Sequence, residues 1–175
     1  MIDVVEWIGD RVSAVTRAIV CVDGPAGAGK TTVAAKLLAR YAHAQVIHMD
    51  DLYDGWDAAL EQPLTHRLVT HVRDPFLAGE PVRYPRYDWS AAAFGEMVEV
   101  EPMPLLVVEG VGAAQLVMRP HAITVFLDVD PQVGRLRVIE RDGGVSAAHI
   151  DDWQRRERAH FEADGTREGV DLYLP

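Results

Sequence analysis

The stretch "DGPAGAGKTT" (23 to 32) restricts the fold of this chain more than any other. Gly24 to Thr31 fit the spacing G-x-x-x-x-G-K-[ST]. An apolar run, "AIVCVDG" (18 to 24), precedes it, and Val33, Ala34, Leu37, Leu38 and Tyr41 follow at helical spacing. The pattern predicts strand, glycine loop, helix. In such a loop Gly24, Ala26, Gly27, Ala28 and Gly29 let backbone N–H groups wrap a phosphate without Cβ clashes, and the next helix points its positive end at the anion. Lys30 neutralises the β- and γ-phosphates, Thr31 offers its hydroxyl to Mg²⁺, and Thr32 follows in the same turn. The only other lysine is Lys36; arginine carries the remaining positive charge. A compact ammonium on a flexible stem can follow a moving phosphoryl group, which a planar guanidinium does less well. The loop implies ATP and Mg²⁺ as cofactors.

Three further β-branched runs, "QVIHMDD" (45 to 51), "PLLVVEGV" (104 to 111) and "AITVFLDVD" (122 to 130), end in acidic or glycine residues, and "GVDLYLP" (169 to 175) reads as a last strand. Helical patterns separate them: residues 4 to 15 ahead of the first strand, 131 to 142 begun by Pro131 and stopped by Gly143 and Gly144, and about 147 to 161 with Ile150, Trp153, Glu157 and Phe161 along one side. Strands alternating with helices predict an α/β fold, a parallel sheet with helices on both faces and its ligand crevice outside the strand C-termini. Residues 52 to 103 break the alternation. Prolines 63, 75, 81, 85 and 102 punctuate them, and aromatics gather in "RYPRYDW" (83 to 89), so they read as an insertion with one helix near Leu60 to Phe76 plus extended or loop pieces. With 175 residues, one domain covering 1 to 175 is expected.

The net charge of −10 opposes nucleic acid and anionic membranes as partners and favours small molecules or proteins. The single cysteine, Cys21, excludes an internal disulfide and reads as a buried core thiol. No apolar stretch reaches the length of a membrane span, and Asp3 and Glu6 do not suit a signal-peptide start, so a cytoplasmic protein is expected.

Strand ends supply the candidate carboxylates. Asp50 and Asp51 close the second run and Glu109 closes the third, beside the phosphate loop. In phosphoryl transfer one carboxylate holds Mg²⁺ while another orients or deprotonates the attacking hydroxyl. Arg137 and Arg141 share a helix face four residues apart, with Arg135 nearby. A mobile segment over about 135 to 146, carrying Arg141 next to the two glycines, could close over the phosphates and exclude water. Arg155, Arg156 and Arg158 read as a solvated face paired with Asp151, Asp152 and Glu157. His66 and His71, five apart, read as surface or local hydrogen-bonding residues.

The order of phosphate loop, "DDLY" (50 to 53), "PRYDW" (85 to 89), "VVEGV" (107 to 111), "FLDVD" (126 to 130), "RLRVIERD" (135 to 142) and "VDLYLP" (170 to 175) resembles the uridine kinase family of P-loop kinases, which includes phosphoribulokinase and bacterial pantothenate kinase. The resemblance spans most of residues 18 to 175. It implies a P-loop NTPase fold whose five-stranded parallel sheet has the order 2-3-1-4-5. It also implies transfer of the γ-phosphoryl of Mg·ATP to a hydroxyl of a small metabolite, a nucleoside being the best fit. Asp50 would be the base facing the acceptor, Tyr53 and Tyr87 would line the acceptor site with Asp88 beside them, Glu109 would serve the metal with Thr31, and Arg141 would be the lid arginine. The family's histidine after P-x-Y-D has no counterpart, since Ser90 and three alanines follow Trp89, and the H-P-x-x-F-D stretch is absent. The acceptor is therefore left open, as is a homodimer. Two other readings stand beside this one: a nucleotide-dependent switch or assembly ATPase with a protein partner, and a nucleoside monophosphate kinase of the cytidylate type, whose phosphate loop is similar.

Overall fold

A computed structural model describes residues 2–116 and 122–175. The strands are β1 (Ala18–Asp23), β2 (Ala44–His48), β3 (Val82–Asp88), β4 (Ala93–Val100), β5 (Leu105–Glu109), β6 (Ala122–Leu127) and β7 (Leu172–Leu174). Five of them form one parallel sheet in the order β2-β5-β1-β6-β7. Counted without the inserted hairpin this is the expected 2-3-1-4-5. Every residue of β1, β5 and β6 is buried, as β-branched strands covered on both faces must be.

Alternate residues of these strands feed two separate cores. Val20, Val22, Leu105, Val107 and Val125 pack with Ile8 of α1 (Val4–Val12) and Val33 and Leu37 of α2 (Lys30–Arg40). On the opposite face Ile19, Cys21, Leu106, Val108 and Phe126 pack with the insertion and with Trp153 and Phe161 of the helix Ile150–Asp164. Burial raises the pKa of the Cys21 thiol far above its usual range, in keeping with an inert core residue.

The insertion holds more order than its prolines suggested. A continuous helix runs through α3 (Gln62–Arg67), a π-helical stretch (Leu68–Arg73) and α4 (Asp74–Ala78). Pro75 lacks the N–H that would bond the turn before it, and the helix widens there rather than breaking. An antiparallel hairpin follows, β3 paired with β4 and irregular between Pro85 and Tyr87. Proline sits at that irregularity because the hairpin needs no ladder donor there.

α5 (Pro131–Arg141) begins as expected: Asp130 caps it by accepting from Gln132 and Val133 N–H, with Pro131 at the first turn. Gly143 and Gly144 end it in the left-handed region, at φ of 60° and 87°. Then come α6 (Ile150–Asp164) and the short α7 (Thr166–Gly169). No described helix is long and apolar enough to cross a membrane.

Candidate active site

The phosphate loop occupies the turn between β1 and α2. Gly29, at φ 94°, precedes Lys30, and no side chain caps α2, so its first N–H groups remain open to an anion. Gly27 faces a second constraint. A Cβ there would meet Gly134 O at 2.4 Å, and a Cβ on Gly134 would meet Ala26 O at 2.6 Å. Helix α5 thus rests on the loop backbone to backbone, which only glycines allow. Arg137 adds a hydrogen bond to Gly27 O at 3.1 Å.

Lys30 Nζ donates to Gly24 O at 2.7 Å and Pro25 O at 2.8 Å. Burial pulls its pKa down, and the carboxylates Asp23, Glu157, Glu109 and Asp50 oppose that shift. Asp23, which the sequence reading passed over, is fully buried. It accepts from Gly24 N–H, Gly112 N–H and Ala114 N–H at 2.7 to 2.9 Å, tying the start of the phosphate loop to the loop after β5. Its place in the quoted motif, at the end of an apolar strand, was the available signal.

Glu109 ends β5 next to β1. Its Oε1 accepts the Thr31 hydroxyl at 3.1 Å and lies 2.6 Å from His48 Nδ1. The Glu109 hydrogen bond is the first cause of a raised His48 pKa. Two oxygen donors of this kind suit Mg²⁺, which takes few protein ligands and fills its remaining positions with phosphate oxygens and water. Asp50 stands in the 3₁₀ turn Met49–Asp51 after β2 and opens into the same cleft. The crowding protein around it, then repulsion from Glu109, raise its pKa. Asp51 is held apart, accepting from the Tyr84 hydroxyl at 3.2 Å.

The cleft, about 780 Å³, is lined by Ala26, Gly27, Gly29, Lys30, Thr31, Thr32, Asp50, Tyr53, Glu109 and Arg141 among the residues singled out in the sequence. Arg141 pairs with Asp142, Nε to Oδ1 at 2.5 Å. Tyr53 contributes its ring, while its hydroxyl donates to Val111 O at 2.8 Å. Tyr87 and Asp88 do not line the cleft. Tyr87 packs edge-on against Trp89 and Phe94, and Asp88 accepts from Ser90 N–H and Ala91 N–H to shape the hairpin turn.

Trp56, Trp89, His149 and Trp153 take their place and were not foreseen as a group. Trp56 stacks on His149 with centroids 5.0 Å apart and meets Trp89 at 5.1 Å and Trp153 at 5.7 Å. The Trp89 indole N–H donates to Asp50 O at 3.1 Å, which fixes the wall beside the candidate base. Arg156 keeps the expected pair with Asp152, Nε to Oδ2 at 2.7 Å, and also holds Asp57, next to Trp56, at both the carbonyl and the carboxylate. Glu157, expected among the solvated pairs, is instead buried against Ala26 N–H at 3.0 Å.

The fold is that of solved P-loop kinases. The structure matches that of a possible uridine kinase from Bacillus stearothermophilus, with a TM-score of 0.64 at 18% identity, covering 97% of this chain and 100% of that one. It also matches a supposed fructose transport system kinase from Silicibacter, with a TM-score of 0.65 at 21% identity and full coverage of both. In sequence the chain is similar to curated uridine kinases. It is 29% identical to that of Chloroflexus aurantiacus and 28% identical to that of Streptococcus mutans, in each case over 71% of this chain and 67% of the relative. No family model matches.

Proposed function

We propose that this protein is an ATP-dependent kinase that transfers the γ-phosphoryl of Mg·ATP to a hydroxyl of an uncharged small metabolite, a nucleoside being the best fit. The observation that carries the reading is that Asp50 opens into one cleft with Lys30, Thr31, Glu109 and Arg141. Lys30 and the loop amides hold the phosphates, Thr31 and Glu109 serve the metal, Asp50 orients or deprotonates the acceptor, and Arg141 steadies the transferring group from the lid. A bound Mg²⁺ would supply charge neutralisation at the phosphates; the protein's own part is positioning and electrostatics.

Charge supports an uncharged acceptor over a nucleoside monophosphate. Among the described lining residues, the lysine and arginines are Lys30, Arg137 and Arg141, all on the phosphate-loop and lid side, with Arg137 bonded to Gly27 O and Arg141 to Asp142. At the other end stand aromatic rings and Asp50. An anionic acceptor would meet the Asp50 carboxylate, and the Arg141 guanidinium that acts on Asp50 is already paired with Asp142.

The test is ADP release from Mg·ATP against a panel of nucleosides, nucleoside monophosphates, pantothenate and sugars, with Lys30→Ala and Asp50→Asn alongside. Stimulation by one uncharged compound, abolished by both substitutions, is the expected result. Stimulation only by a protein would replace the kinase reading with the switch.

A further inference from the structure

α6 brings a carboxylate into its apolar face at the point where that face meets the phosphate loop. Ile150, Trp153 and Phe161 are buried core residues of this face, and Glu157 among them is only 3% exposed. Its Oε2 accepts the Ala26 N–H at 3.0 Å, and Trp153 stands one turn earlier on the same face. Ala26 borders the cleft, whereas Glu157 does not. The carboxylate therefore reaches the loop from behind, not from the space that phosphates would fill.

Burying a carboxylate is costly unless it is hydrogen-bonded and has a counter-charge. Lys30 supplies the counter-charge, and Glu157 is in turn one of four carboxylates acting on that lysine. An uncharged amide would serve Ala26 N–H equally well, so the hydrogen bond alone does not account for the charge. In a weakly screened interior that charge opposes any anion gathered by the loop.

We propose that Glu157 is a positioning residue of the phosphate loop with two opposed effects: its hydrogen bond holds the Ala26 amide and the curvature of the loop, while its charge restrains nucleotide affinity. A restrained affinity favours release of the product nucleotide, a step that limits turnover in many kinases. The proposal rests on reading the phosphate loop as a nucleotide site.

The test is titration calorimetry of the full chain with Mg²⁺ and the non-hydrolysable analogue AMP-PNP, comparing the natural protein with Glu157→Gln and Glu157→Ala. Glutamine keeps an acceptor for Ala26 and removes the charge, so the dissociation constant falls about fivefold. Alanine removes both and leaves a buried amide unsatisfied, so it rises about tenfold. This divergence is what a plain structural brace would not produce. Weakening in both variants would mean a brace alone, tightening in both would mean that Glu157 stands in the place of a phosphate, and no change in either would mean no link to the site; each overturns the proposal. Failure of the natural protein to bind the analogue would instead remove the nucleotide-site reading, and the proposal with it. Should Glu157→Ala not fold, the glutamine variant decides alone, through its affinity and a several-fold slower release of ADP.

Discussion

His48 Nδ1 lies 2.6 Å from Glu109 Oε1, the same oxygen that accepts the Thr31 hydroxyl. The imidazole fixes the carboxylate that would serve the metal, and losing such an orienting partner costs about 10- to 100-fold in metal affinity or activity. Since the His48 side chain is 44% exposed, the effect of losing it should fall at the lower end of what such partners give. His48→Ala is expected to raise the Mg²⁺ concentration for half-maximal ADP release about tenfold. A metal titration at saturating ATP checks it; an unchanged midpoint would remove His48 from the site.

Asp50→Asn should lower kcat by about 10²- to 10⁴-fold, the usual contribution of a positioned base, and leave nucleotide binding intact. The nucleotide side of the cleft is built from other residues, so calorimetry with an ATP analogue should give the natural value. Full turnover in this variant would falsify the role given to Asp50.

The same residue sets an expected pH profile. Burial and then the Glu109 charge raise the Asp50 pKa, and a base must be ionised to accept a proton. The acid limb of kcat/KM for the acceptor should therefore lie above the ordinary aspartate value of 3.8, with activity lost as pH falls through the raised pKa. In Asp50→Asn this limb should vanish. A limb at the ordinary value would mean that water reaches the carboxylate more freely than the cleft suggests.

Trp56 is the centre of the aromatic wall, touching Trp89, His149 and Trp153. Replacing it by leucine keeps apolar bulk but removes the ring contacts, each of about 0.5 to 1.5 kcal/mol. With one aromatic face fewer for the acceptor to stack on, its KM should rise about tenfold, with the nucleotide dissociation constant unchanged. Equal losses for acceptor and nucleotide would show that the wall is a structural core and not an acceptor surface.

Gly134→Ala sets two effects against each other. Alanine improves a helix interior by roughly 1 kcal/mol. The new Cβ, however, would meet Ala26 O at 2.6 Å, and a backbone atom cannot swing aside. Overpacking of this kind costs about 1 to 3 kcal/mol, so the clash should win, with a lower melting temperature and weaker nucleotide binding. A more stable variant would mean that α5 can lift off the loop at little cost.

The sheet was legible because its strands are short, β-branched and end in glycine or acid, and β1, β5 and β6 appear within a residue or two of those runs. The phosphate loop was legible because its spacing follows from phosphate geometry. Reading the hairpin was harder: "RYPRYDW" carries a proline and alternates poorly, and its strands become visible only through their pairing with β4. Tyr87 was expected at the acceptor, yet Trp89, in the turn just after β3, reaches the cleft instead. Sequence spacing does not decide which of two neighbouring rings turns inward. His71, expected in local hydrogen bonding, has its Nδ1 3.0 Å from Arg83 O. For Glu157 a signal existed: a carboxylate in line with Ile150, Trp153 and Phe161 on an otherwise apolar stripe asks for a buried partner. The identity of that partner, an amide 131 residues earlier, was invisible without the fold.

Among the described residues the hairpin β3–β4 shares no strand pairing with the parallel sheet. Trp56 and Trp89 arrive on the inserted segment, while Lys30, Thr31 and Glu109 sit at the ends of sheet strands or the helix that follows one. On the proposed reading, mutation can therefore recast the acceptor side of the cleft while the phosphate-loop side is inherited unchanged. A kinase of this design would be free to drift from one acceptor to another across its descendants without passing through a form that has lost its hold on nucleotide.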